Sequence, residues 1–144
     1  MKAQEFPYQY NLTVTFQDMD AMRHVNNVTY IAYLETARVR YLFDLLQFTD
    51  FETFPIILGD VYCRYLAPAY FNDVLTVGLG VNRFGRKSFD FIYQIDNQDG
   101  LPIIQAKTSM ITFDYQQQKT ILIPDYIRAS ITKFQQGWHH DFVV

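Results

Sequence analysis

The sequence is poor in cysteine and histidine and has no long apolar run. It contains one cysteine, Cys63, and three histidines among 144 residues, so no intrachain disulfide can form and we expect a reducing, cytoplasmic location. Two of the histidines, His139 and His140, are adjacent near the C-terminus, which leaves no ligand set for a metal ion. No run approaches the length of a membrane span, and the first residues lack the apolar centre of a signal peptide. We therefore expect no metal site and no stable membrane insertion.

Several familiar functional patterns are missing as well. There is no glycine-rich phosphate loop and no serine-centred nucleophile elbow. The formal net charge of −3 argues against a general nucleic-acid binder. Aromatic residues are abundant instead, at 17% of the chain, with 13 Phe and 11 Tyr. This share indicates either a strand-rich fold or a second apolar surface, such as a subunit interface or a ligand pocket.

Hydrophobic periodicity predicts one strand, one long helix, four further strands and a short final helix. Apolar and polar residues alternate over 8–17, as in a half-buried strand. The helix over 27–46, with Asn26 or Asn27 as its N-cap, is apolar over so wide an arc that we expect it to be mostly buried. The remaining strands are predicted over 56–66, 74–84, 87–96 and 101–114, and the final helix over 124–135.

This order of elements predicts an α+β fold in one domain that spans residues 1–144. The simplest arrangement is an antiparallel sheet curled around the long helix. Such a sheet covers the helix on one side only and keeps open edges. Both features favour a symmetric partner, that is, a second copy of the chain.

Most of the polar side chains capable of chemistry lie in one short crossing between the first strand and the long helix. Residues 16–38 read F-Q-D-M-D-A-M-R-H-V-N-N-V-T-Y-I-A-Y-L-E-T-A-R. Two acids, Asp18 and Asp20, and one histidine, His24, therefore precede a helix N-terminus. Free backbone N–H groups and the positive end of the helix dipole can bind an oxyanion there. An acid beside such an N-terminus indicates an acyl-transfer site.

This stretch resembles the signature of hotdog-fold acyl-CoA thioesterases. It is most similar to the 4-hydroxybenzoyl-CoA thioesterase-like branch, with its D-x-D, H-V-N-N and E-x-A-R elements. The later segments C-R-Y-L-A-P-A-Y-F-N-D-V-L-T-V and G-R-K-S-F resemble the next parts of the same pattern, so the resemblance covers nearly the whole chain. It implies the hotdog fold, in which an antiparallel β-sheet wraps around one long central α-helix. It also implies hydrolysis of acyl-CoA thioesters to free acid and coenzyme A.

The resemblance assigns roles to residues in the crossing and the helix. Asp20 falls on the catalytic carboxylate of that branch, and Asn27 falls where a backbone N–H faces the thioester carbonyl. Tyr30 is expected to pack at the mouth of the acyl pocket. His24 is either an acid or base or a brace of the loop through a backbone hydrogen bond. One departure is Arg23, which stands where several members of the family have glycine.

The resemblance also places the phosphates of coenzyme A. Arg86, Lys87 and Ser88 fall where the family holds them, and an arginine fork with a lysine point charge suits phosphate groups. No cofactor is implied, because coenzyme A is part of the substrate. The expected assembly is a homodimer or a dimer of dimers with active sites at the subunit interface.

The residues alone leave the mechanism and the exact function open. Asp20 could attack the thioester directly or could orient a water molecule, and Asp18 and Asp20 could instead serve only to turn the chain. The alternatives to an acyl-CoA thioesterase are an acyl-ACP thioesterase, a hotdog dehydratase and a non-catalytic acyl-CoA binding module. A dehydratase would require His24, whereas a binding module would not require Asp20.

Overall fold

Six strands and two α-helices make up the computed structural model, which describes residues 1–143. In chain order they are β1 (Tyr8–Thr13), α1 (Asn27–Leu46), β2 (Ile56–Tyr65), β3 (Val74–Phe84), β4 (Ser88–Asp96), β5 (Pro102–Asp114), β6 (Lys119–Thr120) and α2 (Asp125–Gln135). The five longer strands form one antiparallel sheet in the order β1-β3-β4-β5-β2, and β6 pairs with the end of β5. This is the predicted α+β arrangement; of the predicted domain, only Val144 lies outside the described residues.

The long helix and the strand over 74–84 begin and end at the predicted residues, but the first strand is shorter than predicted. β1 ends at Thr13 because its partner strand, β3, begins at Val74. The next residue, Val14, bonds only to the turn that precedes β3 and donates its N–H to Asp73 O at 2.9 Å. Phe16, expected on the inner face of the strand, instead begins a short 3-10 helix and is 78% exposed. The prediction of a strand up to residue 17 is therefore wrong over its last four residues.

Helix α1 packs one face against the inner side of the sheet and leaves the other face open. Tyr30, Leu34 and Tyr41 are buried, and the Tyr41 ring meets the Phe91 ring edge-on with 5.3 Å between centroids. On the opposite face, Val28 is 69% exposed. The expectation of a mostly buried helix is thus wrong for this chain, because the sheet covers the helix on one side only.

The two ends of the chain cover the outer face of the sheet over β3 and β4. Ala3 donates its N–H to the Asp96 carboxylate at 2.7 Å, and the Trp138 ring lies over Gly80. A Cβ on Gly78 would overlap the carbonyl oxygen of Ala3, so glycine is required for this close approach. β4 is therefore buried on both faces, which explains why apolar residues occur on both sides of its sequence pattern.

The two groups of predicted site residues lie next to the two ends of β3. The crossing that contains Asp20 meets the start of β3, near Val74, through the Val14 to Asp73 hydrogen bond. The hairpin that contains Arg86 and Lys87 follows the end of the same strand. Since β3 has 11 residues and a strand rises about 3.3 Å per residue, these two regions lie at opposite ends of the sheet.

The crossing is a closed loop with one strained residue. Met19 and Val25 pair as an isolated antiparallel bridge, and Asn26 donates its N–H to Asp18 O at 3.0 Å. Inside this loop Arg23 has φ of 67°, in the left-handed region that favours glycine. The loop therefore has the backbone shape of a glycine position although an arginine occupies it.

Replacing Arg23 by glycine should relieve this strain, whereas replacing it by alanine should not. Both changes remove the same side chain, but only glycine adopts the left-handed conformation without steric cost. We expect Arg23→Gly to be more stable than Arg23→Ala by about 1 kcal/mol in free energy of unfolding. Urea unfolding of both variants measures this difference, and an alanine variant equal to the glycine variant would contradict the assignment.

Gly78→Ala should displace the N-terminal segment from the sheet. The new methyl group overlaps the Ala3 backbone, which cannot rotate away as a side chain could. We expect a loss of about 1–3 kcal/mol in free energy of unfolding and faster hydrogen exchange at the Ala3 amide. Thr76→Ala, two residues earlier on the same face of β3, is the matched control. Unchanged exchange at Ala3 would show that the contact is not tight.

Candidate active site

The carboxylate of Asp20 is half-buried and is fixed by two hydrogen bonds. Its Oδ1 accepts the backbone N–H of Met22 at 2.8 Å, and its Oδ2 accepts the side-chain amide of Asn26 at 3.3 Å. The backbone of Asp20 is held as well, because its N–H donates to His24 O at 3.2 Å. The tight loop thus turns this carboxylate toward the residue that caps α1.

Asn26 connects the carboxylate to the helix N-terminus. Its Oδ1 accepts the N–H of Val28 at 2.8 Å, which is the N-cap interaction that the sequence predicts, while its amide nitrogen contacts Asp20. The N–H of Asn27, the first residue of α1, has no hydrogen-bond partner within residues 1–143. A free N–H at the positive end of the helix dipole is therefore available to an oxyanion next to the Asp20 region.

Asp18 has a different environment from Asp20. One of its carboxylate oxygens, Oδ2, accepts both the hydroxyl of Tyr33 at 2.8 Å and the N–H of Thr15 at 2.9 Å. Burial, together with the hydrogen bond to Asp18, raises the pKa of Tyr33. Asp18 therefore ties the crossing to the face of α1, which is a structural use of the acid.

His24 contacts the backbone of the loop. Its Nδ1 lies 3.1 Å from Val25 O, so Nδ1 carries the proton and donates to that carbonyl. This is the bracing contact that the sequence leaves as one of two alternatives for His24. In the neutral ring this contact places the proton on Nδ1 and leaves Nε2 as an acceptor.

Tyr30 and Tyr65 border a cavity at the helix start. The cavity has a volume of about 340 Å³, and Asn27 and His24 also line it. Tyr30 is buried, its hydroxyl accepts the N–H of Ala69 at 2.9 Å, and burial raises its pKa. Tyr65, from the edge strand β2, donates its hydroxyl to Asn27 O at 2.9 Å.

Asp20 lines a separate cleft. This cleft has a volume of about 540 Å³, and its lining includes Phe16, Phe71 and Arg23. Asp20 thus lines one recess and Asn27 lines the other. The side chain of Asn26, which lies between them in the chain, bonds to the Asp20 carboxylate and to the N–H of Val28.

The residues predicted to hold phosphates lie far from this loop. Arg86 and Lys87 are exposed, and neither side chain has an ion pair within the described part of the chain. Their backbones are fixed, since Arg86 O accepts the N–H of Ile123 at 2.9 Å and Lys87 O accepts that of Thr112 at 3.0 Å. Ser88, half-buried, begins β4. One chain thus brings Asp20, His24, Asn27 and Tyr30 together, but not the hairpin of residues 86–88.

Sequence reasoning missed two contacts of this site. It identifies Asn26 as a helix cap, but not the second contact of its amide with Asp20. It places Tyr65 in a strand without a role, because an alternating pattern does not show which helix end a strand residue reaches. The turn A-P-A, which supplies Ala69 to Tyr30, is the one local signal that could have pointed to this cavity.

Neither a metal-binding cluster nor a membrane-spanning helix occurs within residues 1–143. No cluster of three or more histidine, cysteine, aspartate or glutamate side chains in this range is arranged to hold a metal ion. None of the helices in the same range is long and apolar enough to cross a membrane.

Proteins of known sequence resemble this chain over most of its length. The model of the thioesterase-like superfamily matches residues 14–131. The long-chain acyl-CoA thioesterase FadM of Escherichia coli is 24% identical over 126 residues, which cover 85% of this chain and 96% of that protein. The 1,4-dihydroxy-2-naphthoyl-CoA hydrolase of Thermosynechococcus vestitus is 27% identical over 128 residues, which cover 83% of this chain and 85% of that protein.

Solved structures have the same fold. A thioesterase from Thermus thermophilus, complexed with coenzyme A and Zn, superimposes with a TM-score of 0.83 at 24% identity, covering 91% of this chain and 96% of that chain. This likeness confirms the predicted hotdog fold. Since the superfamily model also spans the crossing, helix α1 and strands β2 to β6, the chain belongs to the thioesterase-like superfamily.

Proposed function

We propose that this thioester hydrolase acts on acyl-CoA and releases the free acid and coenzyme A. One observation carries the proposal: the side chain of Asn26 ties the Asp20 carboxylate to a helix N-terminus whose first N–H, that of Asn27, is free. Thioester hydrolysis needs both groups, because water must be activated or replaced as nucleophile and the carbonyl oxygen becomes negatively charged.

Asp20 supplies the carboxylate chemistry. As a general base it removes a proton from the attacking water; as a nucleophile it forms a mixed anhydride that water then hydrolyses. In either case the C–S bond breaks and the coenzyme A thiolate leaves and takes up a proton. The N–H of Asn27 stabilises the oxyanion, and a donor of this kind contributes about 3–4 kcal/mol to transition-state stabilisation.

Tyr30 and His24 act around these two groups. Tyr30 accepts the N–H of Ala69, so its own O–H proton remains available in the cavity where the acyl group would enter. The bond from His24 to Val25 O supports bracing of the loop, and a catalytic role for His24 stays a prediction. We assign Tyr30 to the shape of the site rather than to proton transfer.

Arg86, Lys87 and Ser88 are proposed to hold the phosphates of coenzyme A. They lie at the opposite end of the sheet from Asp20, so the groups that bind one substrate must come from two copies of the chain. This separation supports a homodimer, or a dimer of dimers, with active sites at the subunit interface.

The carrier is proposed to be coenzyme A rather than an acyl carrier protein. FadM and the 1,4-dihydroxy-2-naphthoyl-CoA hydrolase are both named for coenzyme A esters, and the Thermus thermophilus thioesterase was solved with coenzyme A. The net charge of −3 offers no broad basic surface for an acidic carrier protein. The free thiol of Cys63 supports a reducing, cytoplasmic location.

Asp20→Asn should abolish turnover and leave binding intact. The amide keeps the shape of the side chain but is neither a base nor a good nucleophile, so we expect kcat to fall at least about 100-fold. Release of coenzyme A from acetyl, medium-chain, long-chain and aryl thioesters measures the rate, and calorimetry measures binding. Asp99→Asn, an exposed acid in the β4–β5 turn, is the control. If the wild type binds these esters but hydrolyses none of them, the chain is a binding module.

The double variant Arg86→Gln/Lys87→Gln should weaken only the part of substrate binding that depends on the phosphates of coenzyme A. We expect KM for acyl-CoA to rise about tenfold or more with little change in kcat, as for the loss of charge-assisted hydrogen bonds. The same acyl group on N-acetylcysteamine, which has no phosphates, should show no change. Lys119→Gln, on the exposed β5–β6 hairpin, is the control. Equal effects on both thioesters would remove these residues from phosphate binding.

A further inference from the structure

The cleft that Asp20 lines is wider than the proposed chemistry of Asp20 requires. Its volume is about 540 Å³, a size that suits a small organic group. Apart from Asp20, its lining includes two aromatic residues, Phe16 and Phe71, and one cationic residue, Arg23. The proposed function uses the carboxylate and leaves the rest of this cleft without a role.

The two aromatic residues form an apolar wall that the rest of residues 1–143 leaves uncovered. The rings of Phe16 and Phe71 meet edge-on with 6.2 Å between centroids. Even so, Phe16 is 78% exposed and Phe71 is 50% exposed. Large apolar side chains that pack on each other beside an open cleft are typical of a ligand-binding groove.

The backbone holds both rings in place. Phe16 begins the short 3-10 helix of the crossing. Phe71 lies in the turn before β3, where Asn72 donates its N–H to Val14 O at 3.1 Å and so ties this turn to the end of β1. The wall is therefore formed before any ligand arrives, which lowers the entropic cost of binding.

Arg23 supplies a cation that the chain itself does not use. Its side chain is exposed and forms no ion pair and no cation–π contact within residues 1–143. Its backbone has φ of 67°, a conformation that costs free energy for a residue with a long side chain. Strain of this kind clusters at sites of function. The strained backbone and the unpaired guanidinium together indicate a ligand for Arg23.

The ligand of Arg23 carries a negative charge, and the neighbouring carboxylate makes this requirement selective. Asp20 repels a second carboxylate in the same cleft, whereas Arg23 attracts it. The guanidinium can bind a carboxylate through two parallel hydrogen bonds. A neutral acyl group gains no such contact from Arg23.

The loop sets the distance between the reacting carbonyl and this cation. Arg23 donates its N–H to Asp20 O at 3.1 Å, which closes a turn whose two Cα atoms lie within about 7 Å of each other. The thioester carbon that reacts at Asp20 and the charge that binds Arg23 are therefore close together. The two ends of a short dicarboxylic acid, such as glutaric or adipic acid, have a separation of this order.

We propose that the Asp20 cleft binds the acyl group of the substrate and that Arg23 binds a carboxylate at the far end of that group. The preferred substrates are then coenzyme A thioesters of short dicarboxylic acids. Phe16 and Phe71 pack against the methylene groups between the thioester and the carboxylate. This inference rests on the proposed function and adds to it the class of acyl group.

The cavity at Tyr30 remains for the coenzyme A arm. The reacting carbonyl must reach both Asp20, which lines the cleft, and Asn27, which lines the cavity. The two recesses therefore take the two ends of the thioester. An acyl group that enters past Tyr30 comes to rest in the Asp20 cleft, and the coenzyme A arm stays in the cavity behind it.

Matched pairs of substrates test the charge directly. Glutaryl-CoA and adipyl-CoA are compared with their terminal methyl esters, which keep the carbon chain and remove the charge. We expect kcat/KM of the wild type to be at least about tenfold higher for the acids, as for a charge-assisted hydrogen bond. Equal values for acid and methyl ester would overturn the proposal.

Variants of Arg23 assign this preference to the guanidinium. Arg23→Gln should remove the preference for the acid, and Arg23→Lys, which keeps the charge but not the fork, should retain part of it. Arg23→Gly should remove the preference as well, although it relieves the backbone strain, so a folding defect cannot explain the loss. Lys133→Gln, the same loss of charge at an exposed position of α2, is the control. A preference that survives in Arg23→Gln and Arg23→Gly would refute the role of Arg23.

A shortened carrier separates the acyl carboxylate from the phosphates of coenzyme A, which are also anionic. N-acetylcysteamine thioesters of the same acids have no phosphate. If Arg23 binds the acyl carboxylate, Arg23→Gln should lose the preference for the acid on this carrier too. A variant that raises KM for acid and methyl ester alike on coenzyme A, and changes neither on the short carrier, would place a phosphate on Arg23 and overturn the proposal.

The aromatic wall provides a second test. Phe16→Ala removes one ring from the surface, so we expect little effect on folding. KM should rise several-fold for the acid and the methyl ester alike, because both have the same methylene groups. Phe51→Ala, a similarly exposed aromatic residue in the loop after α1, is the control. An unchanged KM in Phe16→Ala would show that the acyl group does not lie in this cleft.

Binding measurements separate this proposal from the proposed function. Calorimetry of the Asp20→Asn variant compares glutaryl-CoA with its methyl ester in the absence of turnover. Tighter binding of the acid, lost when Arg23→Gln is added, supports the proposal even if the wild type hydrolyses neither thioester. A protein that hydrolyses acyl-CoA but binds the acid and the methyl ester equally keeps the proposed function and contradicts the role of Arg23.

Discussion

One asparagine side chain holds the candidate active site of this protein together. The side-chain oxygen of Asn26 accepts the N–H of Val28, and its amide N–H donates to the Asp20 carboxylate. The same residue therefore ends the loop, caps the helix and positions the acid. Asp18 supports this arrangement from the other side through Tyr33 and Thr15. Asp18 and Asp20, two residues apart, thus have different hydrogen-bond partners. The backbone of the loop determines which carboxylate faces α1 and which faces Asn26.

The sheet sets the distance between the two halves of the site. The crossing contacts the start of β3 and the basic hairpin follows its end, so one copy of the chain holds the candidate catalytic residues and the candidate phosphate-binding residues about 30 Å apart. Two copies of the chain related by a two-fold axis can bring the start of one sheet near the end of the other. A fold that separates two functions along a strand can therefore reunite them by symmetry.

The sequence predicts the regular elements well and the irregular ones poorly. Helix α1 and strand β3 have long, clear periodicity, and their bounds agree with the prediction. The sequence pattern places the end of β1 wrongly, because that end depends on where β3 begins. Pairing between Thr13 and Val74 joins residues far apart in the chain, and local periodicity does not reveal it. The apolar arc of α1 was interpreted as burial, although periodicity does not reveal what covers a helix. Part of that arc is exposed in this chain.

For the site, the resemblance supplied Asp20 and Asn27, and the structure supplied the contacts between their neighbours. The second contact of Asn26 and the bond from Tyr65 to Asn27 depend on tertiary geometry, which residue spacing does not encode. Arg23 shows the reverse case: the family pattern marked the position as unusual, and the left-handed backbone there gives the physical reason.

The covered outer face of the sheet limits how this protein can assemble. Ala3 and Trp138 lie on β3 at Gly78 and Gly80, where the absence of a side chain leaves room for them. Two such sheets cannot stack face to face over this region, since the segments that contain Ala3 and Trp138 already cover it. A second copy must therefore contact the chain elsewhere, such as at a strand edge or on the open side of α1.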